Sequence, residues 1–316
     1  MNPPLVSIII PCHNAERWLA ATLAAALAQT WPDKDIIVVD DGSRDGSRDL
    51  ARGFGDRGVR LVEQPNRGAA AARNTGWRAA RGDYLQFLDA DDLISPGKLA
   101  AQLRLLATAP AGRVATCRWG RFETDPAQAR FVDHAVYRDF SAVEFLSLAG
   151  ATGVMMHPSA WLIPRPVADR AGPWDETLSL NDDGEFFARV ALASSGLVFC
   201  ADEEALSYYR SGLPGSLSQQ RGEQARRSQF RSLELITARL LAAEDSPRTQ
   251  HACAGYWRSF VHDFYPAPAD LIRRAAAEVR RRGETLGRPA MGPRTAALAR
   301  LIGWRGVWRL RHWMAR

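Results

Sequence analysis

Four polar clusters carry most of the residue types able to do chemistry: Pro11-Cys12-His13-Asn14, Asp40-Asp41-Gly42-Ser43, Asp89-Ala90-Asp91-Asp92 and Asn181-Asp182-Asp183-Gly184-Glu185. Asp89 and Asp91 are two residues apart, and in extended backbone such residues point to the same side, so both carboxylates can address one ligand. Hard divalent cations such as Mg²⁺ and Mn²⁺ take oxygen ligands and share them with phosphate. Taken alone, the same residues also make an acidic turn with Asp92 as a helix cap. Asn181 to Glu185 equally suits the start of the helix that Phe186, Phe187 and Val190 would bury.

The elements that must hold these clusters follow from apolar periodicity. Leu5–Ile10, Asp35–Asp40, Val59–Gln64 and Tyr84–Leu88 read as short buried strands. Between them, residues 15–29 carry Leu19, Leu23 and Leu27 on one helical stripe, with Asn14 as the expected cap. A short helix near 47–52, an alanine-rich one over 68–80, and one opened by Ser95-Pro96 and running to about 107 complete the alternation. Strands alternating with helices predict a mostly parallel α/β sheet, Rossmann-like in winding, with helices on both faces. Ligands of such sheets sit beyond the carboxyl ends of the strands, where three of the four clusters fall.

Beyond about 114 the texture changes. Trp119, Trp161 and Trp174 appear among Gly and Pro, and residues 197–207 read as a further strand-like stretch followed by Tyr209-Arg210. The sequence divides as 1–115, the half that carries the wound strands; 116–215, an acceptor-side half of the same fold; and 216–316, a helical extension. In its tail, Leu301, Trp304, Trp308 and Arg311 follow helical spacing, with Arg300, Arg305, Arg309 and Arg316 around them. Gly53-Phe54-Gly55-Asp56-Arg57-Gly58 matches the dinucleotide fingerprint, but it follows a helix and precedes a strand. The geometry is reversed, and a surface loop is expected.

Composition bounds the remaining choices. The 316 residues are 46% hydrophobic and 24% charged, an ordinary globular balance. Of 41 basic residues only Lys34 and Lys98 are lysine, and the net charge is +6. Four cysteines, Cys12, Cys117, Cys200 and Cys253, form no C-x-x-C pair, which argues against a disulfide framework or a zinc site. No apolar stretch approaches a membrane span, and no secretory leader is visible, so a cytoplasmic location is expected.

Four motifs in order give a specific resemblance: Val6-Ser7-Ile8-Ile9-Ile10-Pro11; Ile37-Val38-Val39-Asp40-Asp41-Gly42-Ser43; Asn66-Arg67-Gly68 with Ala72-Arg73-Asn74; and Phe87-Leu88-Asp89-Ala90-Asp91-Asp92. Over residues 4–215 the chain resembles family 2 of the glycosyltransferases, inverting enzymes of the GT-A fold that use nucleotide-diphospho-sugars. The resemblance implies that Pro11, Asp41, Arg67 and Asp89 lie at the donor. Asp41 would accept a hydrogen bond from the nucleobase, for which an N–H of uracil is suited, and Arg67 would lie near base or phosphates. Asp89 matches the ribose-side or metal-side carboxylate, and Asp91 the direct ligand of Mg²⁺ or Mn²⁺. Asp182-Asp183 with Arg189 resembles the family's Glu-Asp…Arg pattern, with Asp182 replacing the glutamate and Asp183 on the catalytic base.

That chemistry makes sense of the residue types. An acceptor hydroxyl must lose its proton to a carboxylate as it attacks the anomeric carbon. The leaving diphosphate needs a metal and an arginine, a role open to Arg210, which otherwise reads as a solvated surface arginine. His157 either touches acceptor or metal or simply packs. Trp174 stacks on a sugar or staples its loop. The expected acceptor is a hydroxyl-bearing glycan or a lipid-linked one, reached from a basic tail that contacts an anionic membrane or packs on its own domain. Nucleic acid is not an expected partner. The competing readings are a sugar-nucleotidyltransferase, which would want a glycine-rich loop after the first strand, and a non-catalytic scaffold.

Overall fold

The computed structural model describes residues 3–154, 156–213, 222–266 and 268–314, the side chains of 311 and 312 excepted. The expected boundary at 215/216, Met155, the Arg311 side chain and Arg316 lie outside the described residues.

Strands β1 (Val6–Cys12), β2 (Lys34–Asp41), β3 (Val59–Gln64) and β4 (Tyr84–Phe87) pair in parallel in the order β3-β2-β1-β4. Ile8, Ile9, Ile10, Ile37, Val38 and Val39 are all buried, the continuous apolar run expected of strands covered on both faces. The covering helices are α1 (Glu16–Leu27), α2 (Ser47–Gly53), α3 (Ala69–Ala79) and α4 (Lys98–Thr108). Helix α3 approaches β1 so closely that a Cβ on Gly76 would lie 2.4 Å from Ile9 Cγ2. Leu88 donates to the Ile9 carbonyl, so Ile9 and Pro11 face β4, which has ended by the time Pro11 is reached; the missing N–H of Pro11 therefore interrupts no rung.

A second sheet closes behind the first. Its strands are β5 (Leu93–Ile94), β6 (Val114–Phe122), β7 (Arg130–Phe131) and β10 (Leu206–Arg210), ordered β5-β10-β6-β7, and β9 (Leu197–Cys200) pairs the first half of β6. The edge strand β8 (Ile163–Pro164) pairs β4 antiparallel. The strand-like stretch expected over 197–207 is thus two strands, and Tyr209 and Arg210 lie inside the second rather than after it.

Helices α5 (Ala142–Thr152), α6 (Arg165–Ala171) and α7 (Asp182–Ala193) complete this half, and α8 (Glu223–Ala243), α9 (Pro247–Phe264) and α10 (Ala269–Arg281) pack against it. One apolar cluster runs from Ile9 and Phe87 through Trp161, Phe186 and Phe187 to Phe230, Trp257 and Val279. The helical extension therefore shares its core with the half that carries the second acidic cluster. Helix α11 (Pro293–Met314) closes the described chain and is broken at Gly303, whose φ of 70° and ψ of 157° are not helical.

Two expectations about local structure fail for one reason: long-range partners displaced the local ones. Asn14 does not cap α1. It takes a left-handed conformation at φ 49°, and the first N–H groups of the helix are met from the β2–α2 loop: Ser47 Oγ accepts from Ala15 at 2.8 Å and Asp45 from Glu16 at 3.1 Å. Ser95 likewise caps nothing; its hydroxyl accepts from Leu206 N at 2.9 Å and ties α4 to β10. The fingerprint-like glycines behave as expected, since a Cβ on Gly53, Gly55 or Gly58 would meet nothing within 4 Å.

Candidate active site

The turn after β2 is closely packed and tied down by hydrogen bonds. Gly42 adopts φ 72°, and a Cβ there would lie 2.8 Å from Asn66 N, so only glycine fits. The Asp41 carboxylate is buried and accepts from Arg67 N and Gly68 N, both at 2.8 Å, and from Gln64 Nε2 at 2.7 Å. Three donors on two oxygens leave room for one more hydrogen bond. Arg67 then reaches Glu176 at 2.6 Å, which joins this loop to the segment preceding α7.

Asp89-Ala90-Asp91-Asp92 is a tight turn, with Asp92 N donating to the Asp89 carbonyl at 3.1 Å, and not the extended segment expected. Its three carboxylates consequently diverge. Asp89 pairs with Arg73 at 2.8 Å. Asp92 turns inward, where Oδ1 accepts from Arg210 N at 2.7 Å and Oδ2 lies 3.5 Å from His157 Nδ1; it caps no helix. Burial, and then the charges of Asp91 and Asp89, push Asp92 well above the usual carboxylate range. Asp91 makes no side-chain hydrogen bond or ion pair among the described residues, and burial with the neighbouring charge of Asp89 raises it to about 6.

Arg73 is the keystone. Its guanidinium donates to Asp89 Oδ1 and to Asp182 Oδ2, each at 2.8 Å, and lies 4.5 Å from the centre of the Trp174 ring. Burial pulls its pKa down, but Asp89 and Asp182 together outweigh that and hold it charged. One fork on α3 thus clamps the turn after β4, 16 residues further along the chain, to the start of α7, 109 residues further along. Asp183 lies half-buried beside this pair; desolvation and then the charge of Asp182 raise it to about 6, while the Gly184 N–H donates to its Oδ1 at 2.8 Å.

The start of α7 is held from behind by α8. Ser228 Oγ accepts from Ser179 N and Leu180 N at 2.8 and 2.9 Å, and Ser232 Oγ accepts from Asn181 Nδ2 at 2.6 Å. Asn181 sits in the left-handed region at φ 59°, which asparagine tolerates, and makes no side-chain cap. Arg189 pairs with buried Glu185 at 2.9 Å and donates to the carbonyls of Gly172 and Pro173 at 2.8 Å, so it fixes the loop before Trp174.

The remaining candidates separate. Arg210 is buried between Trp18 and Phe122, at 4.1 and 4.3 Å, and donates to the Asp91 carbonyl at 2.8 Å, so it shapes the acidic turn directly. His157, 1% exposed, sits behind that turn among Asp92, Ser159 and Ser207, and burial drives it down to about 3, a neutral imidazole. Trp174, 2% exposed, stacks on Phe186 at 4.0 Å while its backbone is held by Asn74. Neither presents a face to an acceptor in this conformation; the stapling and packing alternatives describe what they do. Sequence reasoning assigned no role to Arg73, Asn74, Ser228 or Ser232. Only Arg73 had a local signal: a long cation following Ala69–Ala72, on a helix of small residues facing the core.

A parallel wound sheet with acidic turns on its carboxyl rim, backed by a second sheet that brings another acidic cluster to the same place, is the GT-A architecture. The chain belongs to the family described as "Glycosyl transferase family 2", whose model matches residues 7–169. Among curated relatives is the UDP-Glc:alpha-D-GlcNAc-diphosphoundecaprenol beta-1,3-glucosyltransferase WfgD of Escherichia coli, 37% identical over 107 residues, 34% of this chain and 42% of that one. The matched segments span 27% to 60% of the lengths of such relatives. S. aureus TarS 1–349, solved with UDP-GlcNAc, superposes with a TM-score of 0.64 at 15% identity over 88% of this chain and 89% of that one. The mannosyltransferase PcManGT of Pyrobaculum calidifontis, solved with GDP-Man and Mn²⁺, gives 0.57 at 19% identity over 96% and 83%.

Proposed function

We propose that this chain is a metal-dependent inverting glycosyltransferase that moves a sugar from a nucleoside-diphosphate donor, a UDP-sugar, to a hydroxyl of a glycan or lipid-linked acceptor. The observation that carries this reading is the Arg73 clamp, which puts the uncommitted Asp91 and the raised Asp183 around one guanidinium. UDP-sugars are named for WfgD and TarS, and the acceptor named for WfgD is lipid-linked. Surface polysaccharide or lipid-linked glycan synthesis at the inner face of the membrane is the setting that fits such substrates.

The donor set suits a hard cation. Asp91 supplies carboxylate oxygens with no cationic side-chain partner, Asp89 keeps Oδ2 outside its pair with Arg73, and carboxylates outnumber guanidiniums in the cluster. No group of three or more metal-ligating side chains gathers among the described residues, so Mg²⁺ or Mn²⁺ would be held by one or two carboxylates together with the donor's phosphates. Once bound, such an ion neutralises charge developing on the leaving diphosphate.

The chain's own residues do the rest. Asp41 offers its last acceptor position toward a base N–H and orders the Arg67–Gly68 backbone beneath it. Arg210 holds the Asp91 carbonyl and thereby the aim of the acidic turn. Asp183 takes the proton of the acceptor hydroxyl as its oxygen bonds to the anomeric carbon and the bond to the diphosphate breaks. A carboxylate raised to about 6 is a stronger base than an ordinary aspartate and is still ionised near neutrality. The test is a panel of nucleotide-sugars in thermal shift, with and without Mn²⁺, on the wild type and Asp91→Asn. A Mn²⁺-dependent shift with UDP-sugars that is lost in Asp91→Asn supports the assignment; equal shifts with and without Mn²⁺ overturn the metal role.

A further inference from the structure

We propose that α11 lies flat on an anionic lipid bilayer through its outward face, at the end of the helical bundle where the acceptor side of the site opens. The inference deepens the reading above and rests on it for the identity of the acceptor, but not for the docking itself.

Charge is the first observation. Residues 285–316 contain seven arginines and no aspartate or glutamate, whereas the preceding 284 residues carry 34 basic and 35 acidic side chains. The body of the protein has a net charge of −1, so the chain's net positive charge comes entirely from this segment. A neutral body with a cationic appendage is the distribution expected of electrostatic attachment to a negative surface.

Exposed apolar area is the second. Seven large hydrophobic side chains stand exposed among the described residues, and six belong to α11: Leu298, Leu301, Ile302, Leu310, Trp313 and Met314. They fall into two sets, 298/301/302 and 310/313/314, each spaced i, i+3, i+4 and therefore on one side of its helical half. Leu301 is 82% and Trp313 74% exposed. The single stripe expected through Leu301, Trp304 and Trp308 does not form, because the break at Gly303 separates them. Instead Trp304 packs on His262 and Tyr265, Trp308 donates to the His262 carbonyl at 2.9 Å, and Ala299 and Val307 are buried. The helix is thus anchored by one face and presents the other to solvent. No helix among the described residues is long and apolar enough to cross a membrane, and mixed apolar and arginine content on an anchored helix fits one lying in the interface.

Position is the third. His262 and Tyr265 mark the end of α9, and Arg226 at the start of α8 faces the neighbouring Phe264 ring at 6.0 Å. Arg227 pairs with Asp270 of α10 at 3.5 Å, and the next residue, Ser228, holds Ser179 and Leu180. A continuous path of contacts therefore leads from α11 across one end of the bundle to the segment that carries Asp183. An open cleft bordered by Thr177, Ser179, Arg227 and Arg231 lies on that path. A lipid-linked acceptor held in the bilayer would arrive there.

The alternatives fit less of this. A nucleic acid would use the arginines but leave six apolar side chains in water. A second copy docked face to face would set seven arginines against seven.

The test is co-sedimentation of the full chain with phosphatidylcholine vesicles containing 30% phosphatidylglycerol or none. Wild type is expected to partition at least ~10-fold more onto the anionic vesicles, and to lose that gain in high salt. The triple variant Leu301→Glu/Ile302→Glu/Trp313→Glu, at exposed positions that leave the Tm unchanged, should lose ~10-fold or more of this binding, and Arg300→Gln/Arg305→Gln/Arg309→Gln should lose the dependence on phosphatidylglycerol. Equal pelleting of wild type and the triple glutamate variant overturns the proposal. So does a wild type that ignores vesicles but forms a dimer, or binds duplex DNA, through α11. Because sedimentation is read without donor or acceptor, a wild type that transfers sugar but does not pellet with anionic vesicles refutes this inference alone, and a wild type that docks but transfers no sugar refutes only the reading above.

Discussion

The turns after β2 and β4 are both acidic, both at the carboxyl rim of one sheet, and opposite in how their carboxylates are used. Asp41 has three donors within 2.8 Å, and these fix the backbone of the loop that follows β3. Asp91 has no side-chain partner among the described residues and is pushed up to about 6, as is Asp183 at the start of α7. A carboxylate that the fold has satisfied holds backbone in place; one that the fold has desolvated without satisfying is held ready for a ligand or a proton. Arg73 divides the two behaviours, since it neutralises Asp89 and Asp182 and leaves their neighbours unpaired.

That contrast can be broken most sharply at Asp183. Asp183→Asn is expected to cut turnover by at least ~10²-fold while donor affinity in thermal shift stays close to wild type. The same substitution should raise the Tm at pH 7 and above. The folded-state pKa lies above the unfolded one, so the fold prefers the neutral carboxyl and loses stability as that group ionises through about 6. In the wild type, activity should fall as pH drops below about 6 and level off above it, because only the ionised form accepts a proton. Unchanged turnover in Asp183→Asn would place the base elsewhere.

Next in size is the clamp. Arg73→Ala leaves Asp89 and Asp182 facing each other with no cation between them, and on the order of 3 kcal/mol of stability should be lost in chemical denaturation. Arg73→Lys restores charge but not the fork, so it should recover one of the two bonds and only part of the loss. Full rescue by lysine would show that bridging geometry is unimportant. The smallest effect is expected behind α7, where Ser232→Ala removes two half-buried hydrogen bonds to Asn181, one accepted from its side chain and one donated to its carbonyl, and should cost about 1–2 kcal/mol, with turnover within a few-fold of wild type.

Much of the donor half was legible in the sequence. The Val59–Gln64 strand, the helix after Gly68 and the reversed glycine motif stand where apolar runs and turn residues put them, because these signals act over a few residues. The short edge strands were not legible: β5 and β7 of the second sheet and β8 on the edge of the first are two residues long, too short for any periodicity, and exist only through pairing with β10, β6 and β4. The tail was half legible. Its amphipathic content was plain, but the break at Gly303 took Leu301 off the stripe on which Trp304 and Trp308 pack against the bundle.

The order of strands and helices, the acids at the rim and the cationic, acid-free tail were determined by the sequence itself, since backbone propensity, turn chemistry and charge are local properties. Which carboxylate is neutralised and which is left free was decided by tertiary structure alone. Asp89 and Asp91 differ by two positions and are the same residue type, yet a guanidinium 16 residues from one and 109 from Asp182 selects between them. In a desolvated cluster the energy of a charge is set by its nearest counter-charge, and that neighbour is a product of folding.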